Sequence, residues 1–312
     1  MIPSRLLQRV PSKIVWGLRT YVTSMPIPVG MPFKICWIAT SGGGLDLSVV
    51  DIERAERNFV ASFLRPGMMV LDVGAHHGLY TTLMSKCVGS SGSVHSFEPS
   101  PRERGGLMRH VRLNSCRNVI VAPYAVGSTT GTAQFFVAKG ARSGASSLRR
   151  PILDGRIELE EITVPMTTID RYLGERQISR VDFIKMDIEG GELDAFYGAK
   201  DLLRGENKPT LMVEMSDPVT QAWGYPASQK YDLLRSWGYD WFEVGASGSL
   251  SHTGRRERYE GFGNLVARPE ARDAGRSGRD GFPDPHSTPE VAARSFSPRG
   301  PDIVRLSFVQ DE

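Results

Sequence analysis

Short apolar runs alternate with stretches of helical periodicity from about residue 51 to residue 267. Val70, Leu71 and Val73, bounded by Pro66-Gly67 and Gly74, read as a buried interior strand. Val94 to Phe97, Val119-Ile120-Val121, Val181 to Asp187 and Leu211 to Met215 repeat the pattern. Between them, Leu79, Tyr80, Leu83, Met84 and Cys87 recur at helical spacing, which makes Cys87 a core position. Pro101 to Leu113 reads as a helix with Leu107 and Val111 inward and Arg102, Arg104, Arg109 and Arg112 outward. Leu193, Phe196, Tyr197 and Leu203 mark a further amphipathic helix, and Tyr231 and Leu234 another. Asp51 opens a helix at the front, with Ala55, Phe59, Val60 and Phe63 on one face and Glu53 and Arg57 on the other. Strands alternating with helices predict an α/β fold, a mostly parallel central sheet covered on both faces. Asp240 to Val244 and Gly263 to Ala267 add two neighbouring strands, the last predicted to be antiparallel. Gly131 to Val137 and Ile162 to Val164 are strand-like and enclose Lys139 to Gly155, a long loop of small and polar residues. Thr168 to Leu173 reads as a short helix.

The turn after the first buried strand carries the chemistry. Its pattern, Asp72-Val73-Gly74-Ala75-His76-His77-Gly78, is D-x-G-x-x-x-G. A dinucleotide site wants glycine where His76 stands, and a P-loop wants Lys-Ser/Thr after Gly78, where Leu79 stands. The turn therefore fits a ligand without a pyrophosphate, carrying a ribose and an amino-acid portion. Glu98, at the carboxyl end of the second strand, stands where an acid accepts hydrogen bonds from ribose hydroxyls. Lys185, Asp187 and Glu189 fall at or just past the end of the fourth strand, two apart, so they share a face if that strand extends so far. Asp187 is the first candidate for a general base or substrate-orienting group, Glu189 the second, against a reading in which Lys185 pairs with an acid and closes the sheet edge. His76 and His77 are read as lining the ligand or capping the helix, and as secondary base candidates.

Composition narrows the class only slightly. The chain has 312 residues, 40% hydrophobic and 23% charged, enough for one domain of about 200 residues plus extensions. A net charge of +3 argues against a nucleic-acid partner. Cys36, Cys87 and Cys116 show neither disulfide nor zinc spacing, so a reducing cytoplasm is expected. No run reaches the length of a membrane span. Residues 1–50 read as an extension, basic and weakly amphipathic, that packs on the following domain or caps the ligand, with membrane-surface contact as the alternative. Residues 51–268 form the domain. Residues 269–312, rich in Pro, Gly, Ser and Arg, read as a disordered tail.

Asp72, Gly74, Gly78 and Glu98, in that order, resemble the class I S-adenosylmethionine-dependent methyltransferases. The resemblance sharpens over roughly Asp51 to Ala267 to the FkbM-type family. It rests on Val70-Leu71-Asp72-Val73-Gly74-Ala75, Phe97-Glu98-Pro99, Asn118-Val119 leading to Ala125-Val126-Gly127, and Ser143-Gly144-Ala145-Ser146-Ser147-Leu148. Thr168-Ile169-Asp170 and Ile184-Lys185-Met186-Asp187-Ile188-Glu189-Gly190-Gly191-Glu192 follow in family order. The chain departs at His76-His77, where the family carries Asn and an aliphatic residue, and at Gly191, usually Ala. The resemblance implies a Rossmann-like class I methyltransferase fold, S-adenosyl-L-methionine as cofactor, and methylation of a hydroxyl on a polyketide, sugar or related small molecule or glycan. It implies a cofactor site of Asp72, Gly74, Ala75, His76, Gly78, Glu98, Pro99 and Asp187, with Tyr124 and Ala125 at the adenine. It also implies a substrate-facing lid bearing Ser143, Gly144 and Ser147, against a reading of Lys139 to Leu148 as a solvent loop. Two other readings stand beside it: a methyltransferase on protein or RNA, although no N-P-P-[YF] motif is present, and a cofactor-binding module without turnover. Asp187, Glu214 and Asp217 form an oxygen-rich set without a metal-ligand spacing, so no metal is assigned.

Overall fold

Eight strands form the central sheet of the computed structural model, and five of them run parallel. The structure describes residues 53–139, 144–152, 158–261 and 263–270, with the backbone of two strands at 27–30 and 35–38; the remainder of the predicted extension and the tail lie outside the described residues. All described residues belong to one compact unit within Met1–Glu270. In chain order the elements are β1 (Ile27–Gly30), β2 (Ile35–Ile38), α1 (Arg54–Phe63), β3 (Met69–Val73), α2 (Leu79–Val88), β4 (Ser93–Phe97), α3 (Pro101–Leu113), β5 (Val119–Ala122), β6 (Ala125–Val126), β7 (Gly131–Ala138) and β8 (Leu159–Thr167). They continue with α4 (Ile169–Glu175), β9 (Phe183–Met186), α5 (Glu192–Tyr197), α6 (Lys200–Arg204), β10 (Thr210–Glu214), α7 (Asp217–Thr220), α8 (Ser228–Ser236), β11 (Tyr239–Val244), β12 (Leu250–His252) and β13 (Asn264–Pro269).

The sheet order is β12-β11-β13-β10-β9-β3-β4-β5, with β13 inserted antiparallel between β10 and β11. From β3 the chain winds outward through β4 to β5, then returns to lay β9 and β10 on the opposite side. That reversal opens a crevice at the carboxyl ends of β3 and β9, where open α/β sheets bind ligands. β6, β8 and β7 make a second, three-stranded sheet, and β1 pairs antiparallel with β2.

Strand alternation divides the core. Leu71, Val73, Ile184, Met186, Leu211, Val213, Leu265 and Ala267 face one way, packing with Ile169 and Tyr172 of α4, Phe196 of α5 and Leu234 of α8. Val70, Phe183, Met212 and Val266 face the other, against Phe59 and Val60 of α1 and Leu83, Met84 and Val88 of α2. The same period of two then puts Asp72, Lys185 and Glu214 on the α1/α2 face, one step beyond Val70, Phe183 and Met212.

Several expectations are revised. α1 begins at Arg54, and Arg57 is buried rather than on a solvated face, 2% exposed. The fourth strand ends at Met186, so Asp187 and Glu189 sit in a turn and not on the strand. The helix expected through Leu203 is two short ones, and Gly198 between them packs where any Cβ would lie 2.0 Å from the Gly127 carbonyl oxygen. Tyr197 is exposed and meets Trp237 edge-on instead of joining the core. Arg104, read as solvated, donates to the carbonyls of Glu98 and Pro99 at 2.9 and 2.8 Å. Among the described residues, no helix is long and apolar enough to cross a membrane.

Candidate active site

Two loops meet at the crevice, 74–78 after β3 and 187–191 after β9. Gly74 has φ +84°, and a Cβ there would lie 1.9 Å from the Asp187 carbonyl oxygen, so only glycine lets the loops close on each other. Its N–H and that of Ala75 donate to the Phe97 carbonyl, while the His76 N–H donates to Glu98 Oε2 at 2.8 Å. Ser100 N–H donates to the other oxygen, Glu98 Oε1, at 2.9 Å. A carboxylate offers about four lone pairs, so two remain toward the cavity. Burial pushes the Glu98 carboxyl up to about 7 against the pull of these two amides.

Glu98 lines a cavity with Pro99, Tyr124, Ala125, Phe135 and Leu148 around it. Apolar and aromatic walls around Glu98 suit a purine nucleoside whose ribose hydroxyls donate to that acid. The space continues past Gly74 and His76 to Asp72, Tyr80, Lys185, Asp187 and Glu189. Asp72 is fully buried; Oδ2 accepts from the Thr81 hydroxyl, and Oδ1 has no partner. An orphaned carboxylate oxygen beside such a cavity fits the ammonium and sulfonium of an amino-acid-bearing nucleoside.

Register assembles the remaining charges. Asp72 is paired with Lys185 across β3 and β9. Val213 is paired with Met186 across β9 and β10, so the next positions bring Glu214 beside Asp187. Lys185 Nζ donates to Asp187 Oδ2 at 2.9 Å and lies 4.8 Å from the centroid of the Tyr80 ring. Burial acts to lower the Lys185 pKa, but Asp187, Asp72 and Glu53 together raise it above the usual lysine range, so the ammonium is always charged. Burial, then Asp187 and Glu192, hold the Glu189 carboxyl well above its ordinary range. Glu214 is likewise raised, by burial and then by Asp187 and Glu189.

The turn at 187–191 is held from outside. Glu189 has φ +55° and Gly190 φ +92°, a conformation costing an ordinary residue about 1–2 kcal/mol. The Glu189 carbonyl accepts from Ser147 Oγ at 2.9 Å and Trp223 Nε1 at 3.0 Å, and the Gly190 carbonyl from the Tyr225 hydroxyl. Glu192 Oε1 accepts from the Ile188 and Gly190 amides, and Glu192 Oε2 from Lys230 Nζ at 3.1 Å; both side chains are fully buried.

The structure brings Asp72, Gly74, Ala75, His76, Glu98, Pro99, Tyr124, Ala125, Lys185, Asp187 and Glu189 to one cavity wall. Gly78 does not reach it: its φ of +83° starts α2, and a Cβ would strike Leu107. Gly144 lines the cavity, Ser147 is committed to the Glu189 carbonyl, and Ser143 lies outside the described residues. His77 is a poor base, since burial and then His76 push it down to about 3. Asp217 leaves the oxygen-rich set: its oxygens accept from the Ala227 and Tyr259 amides. Glu189 takes its place near Asp187 and Glu214. Glu53, Tyr80 and Glu103 also line the cavity without having been anticipated. Only Glu103 carried a signal, since Ser100-Pro101-Arg102-Glu103 has capping-box spacing and the Ser100 hydroxyl donates to Glu103 at 2.6 Å.

A reversed strand inside a doubly wound sheet, with a cavity at the switch point, is the Rossmann-like architecture of the class I methyltransferases. A family model described as the methyltransferase FkbM domain matches residues 72–240, and the chain belongs to that family. Its cofactor is S-adenosyl-L-methionine, which the donors and walls of the cavity fit. The chain is 27% identical over 207 residues to the AMB antimetabolite synthetase AmbE of Pseudomonas aeruginosa, covering 57% of this chain and 10% of that protein. It is 23% identical over 146 residues to Methyltransferase 1 of Beauveria bassiana, covering 42% of this chain and 58% of that protein. The chain thus spans a tenth and somewhat over half of these two relatives. A solved S-adenosylmethionine-dependent methyltransferase from Aquifex aeolicus aligns at 18% identity over 71% of this chain and 92% of that one, with a TM-score of 0.40.

Proposed function

We propose that the protein transfers a methyl group from S-adenosyl-L-methionine to a hydroxyl of a small molecule or glycan. The observation that carries this reading is the Lys185–Asp187 pair beside Glu189 at the crevice, adjoining the nucleoside cavity. The bound cofactor supplies an electrophilic methyl on a sulfonium. Asp187, its side chain 26% exposed and lining the cavity, accepts the hydroxyl proton as the acceptor oxygen attacks. Lys185, 2.9 Å away, aims that carboxylate. Glu189, whose carboxyl is held above its ordinary range by burial and then by Asp187, lies beside the acceptor position. Gly144, Ser146 and Leu148 line the cavity on the side of the small sheet. The relative named as an antimetabolite synthetase supports a small-molecule acceptor, and the modest net charge of +3 supports no nucleic-acid partner. We place the catalytic unit within residues 51–268 and the protein in the cytoplasm, on its cysteine pattern. The test is label transfer from methyl-labelled cofactor to extracts of polyketides and glycans, with RNA and protein as parallel acceptors. Label confined to RNA or protein would reject the hydroxyl-bearing small molecule.

Cofactor affinity should rise with pH. Because the Glu98 carboxyl is raised to about 7 in the folded protein, the free site is mostly protonated at pH 6, whereas ribose hydroxyls donate best to the ionised form. Calorimetry in two buffers should therefore show tighter binding from pH 6 to pH 8 and proton release at pH 6. By linkage the same shift makes Glu98 lower fold stability as pH rises from the ordinary carboxylate range through about 7, since the folded state holds the proton longer. Glu98→Ala should remove this pH dependence and weaken binding by ~1–3 kcal/mol. Equal affinity of the variant and the parent would take Glu98 out of the site.

A further inference from the structure

We infer that Asp187, Glu189 and Glu214 form a binding site for one hard divalent cation, Mg2+ or Mn2+. One carboxylate oxygen from each residue lies within 4.8 Å of those of the other two, the span across a single ion whose oxygen ligands stand ~2.0–2.6 Å away. The site has three walls of independent origin: Asp187 follows β9, Glu214 ends β10, and Glu189 projects from the left-handed turn between β9 and α5.

Proximity of acids alone would carry little weight. The second observation is Glu214, 7% exposed, whose Oε2 is buried with no hydrogen-bond partner and belongs to a residue aimed at Asp187 and Glu189. A native fold seldom leaves such an oxygen unsatisfied unless an ion or ligand takes it. Of the two ammonium groups nearby, Lys185 and Lys230, the second is already bonded to Glu192 Oε2 and the Glu214 carbonyl and does not reach the Glu214 carboxylate. Lys185 occupies one oxygen of Asp187 at 2.9 Å, and a carboxylate has lone pairs enough for a cation as well. All three ligands are carboxylates, which select Mg2+ or Mn2+ over softer metals. The other metal-ligand grouping among the described residues, His76, His77 and Glu103, is less open, because Glu103 is bonded to Arg102 and Ser100.

The inference takes from the proposed function only the location of the acceptor, next to Asp187. An acceptor oxygen bound to the cation would lose its proton more readily, and that proton would pass to Asp187, whose carboxylate has lone pairs for the cation and the proton both. Cation binding itself needs neither cofactor nor acceptor, so it can fail while methyl transfer stands, and the reverse.

The test is a titration of the full chain with Mn2+, following loss of the free-ion electron paramagnetic resonance signal, without cofactor. One site is expected. Glu214→Gln and Glu189→Gln should each weaken it by ~10-fold or more, while Glu158→Gln, at an exposed acid just before β8, leaves it unchanged. Urea midpoints of each variant show whether it is folded. Absence of Mn2+ binding by the parent chain, or equal affinity in folded Glu214→Gln and Glu189→Gln, would overturn the assignment.

Discussion

Asp187→Asn should lower the turnover number by ~10²–10⁴-fold, the contribution of a positioned general base. Cofactor affinity should change little, because the substitution keeps the shape of the side chain and leaves the Asp187 N–H on the Val73 carbonyl, at 3.0 Å, untouched. The effect comes from two sources. Asparagine cannot take the hydroxyl proton, and it no longer matches Lys185, whose ammonium is 4% exposed and stays charged. Lys185 retains Asp72 and Glu53 as nearby acids, so the variant should remain folded. Single-turnover rates with labelled cofactor, alongside calorimetric affinities, separate the two quantities. A variant that keeps more than a tenth of parental turnover would remove Asp187 as the proton acceptor.

Lys230→Met carries the largest expected stability loss, about 3–5 kcal/mol. Lys230 and Glu192 are both fully buried and 3.1 Å apart. Removing the ammonium strands the carboxylate in the core and frees the Glu214 carbonyl that Lys230 also holds. The damage should spread to the site, because Glu192 positions the Ile188 and Gly190 amides that fix the turn carrying Glu189. Urea unfolding measures the loss, with an unchanged m-value showing that two-state behaviour persists. Adding Glu192→Leu to Lys230→Met should recover part of it, since removing both partners costs less than orphaning one. A loss under about 1 kcal/mol would mean that water reaches Glu192, contrary to its burial.

The structure gives these residues roles that differ in how visible they were. Asp72, Gly74 and Glu98 stand at strand ends beside turns that local chemistry dictates, so their neighbourhood was legible. Arg104 read as one of several solvated arginines because helical periodicity cannot tell that the Glu98-Pro99 carbonyls fold back onto it. Ser147 read as a substrate contact, yet the segment carrying it pairs with Phe136 on the edge of β7, and that pairing delivers its hydroxyl to the Glu189 carbonyl. Glu53 and Tyr80 gave no signal, because they come to the cavity only when α1 and α2 pack on the sheet.

By itself the chain of residues determined which segments become buried strands, where the glycine turn falls, and that acids stand at the carboxyl ends of the second, fourth and fifth strands. Those are local consequences of apolar periodicity and of glycine's freedom at positive φ. The tertiary structure alone decided which charges meet. Parallel pairing of β3, β9 and β10 sets Asp72 against Lys185 and Glu214 beside Asp187, across separations of more than a hundred residues in the first case and 27 in the second. It also buries Lys230 against Glu192 and so selects the left-handed turn at Glu189. The physical reason is that register and burial are properties of neighbouring strands together: a carboxylate's charge state depends on what lies across the sheet from it, which no single stretch of sequence contains.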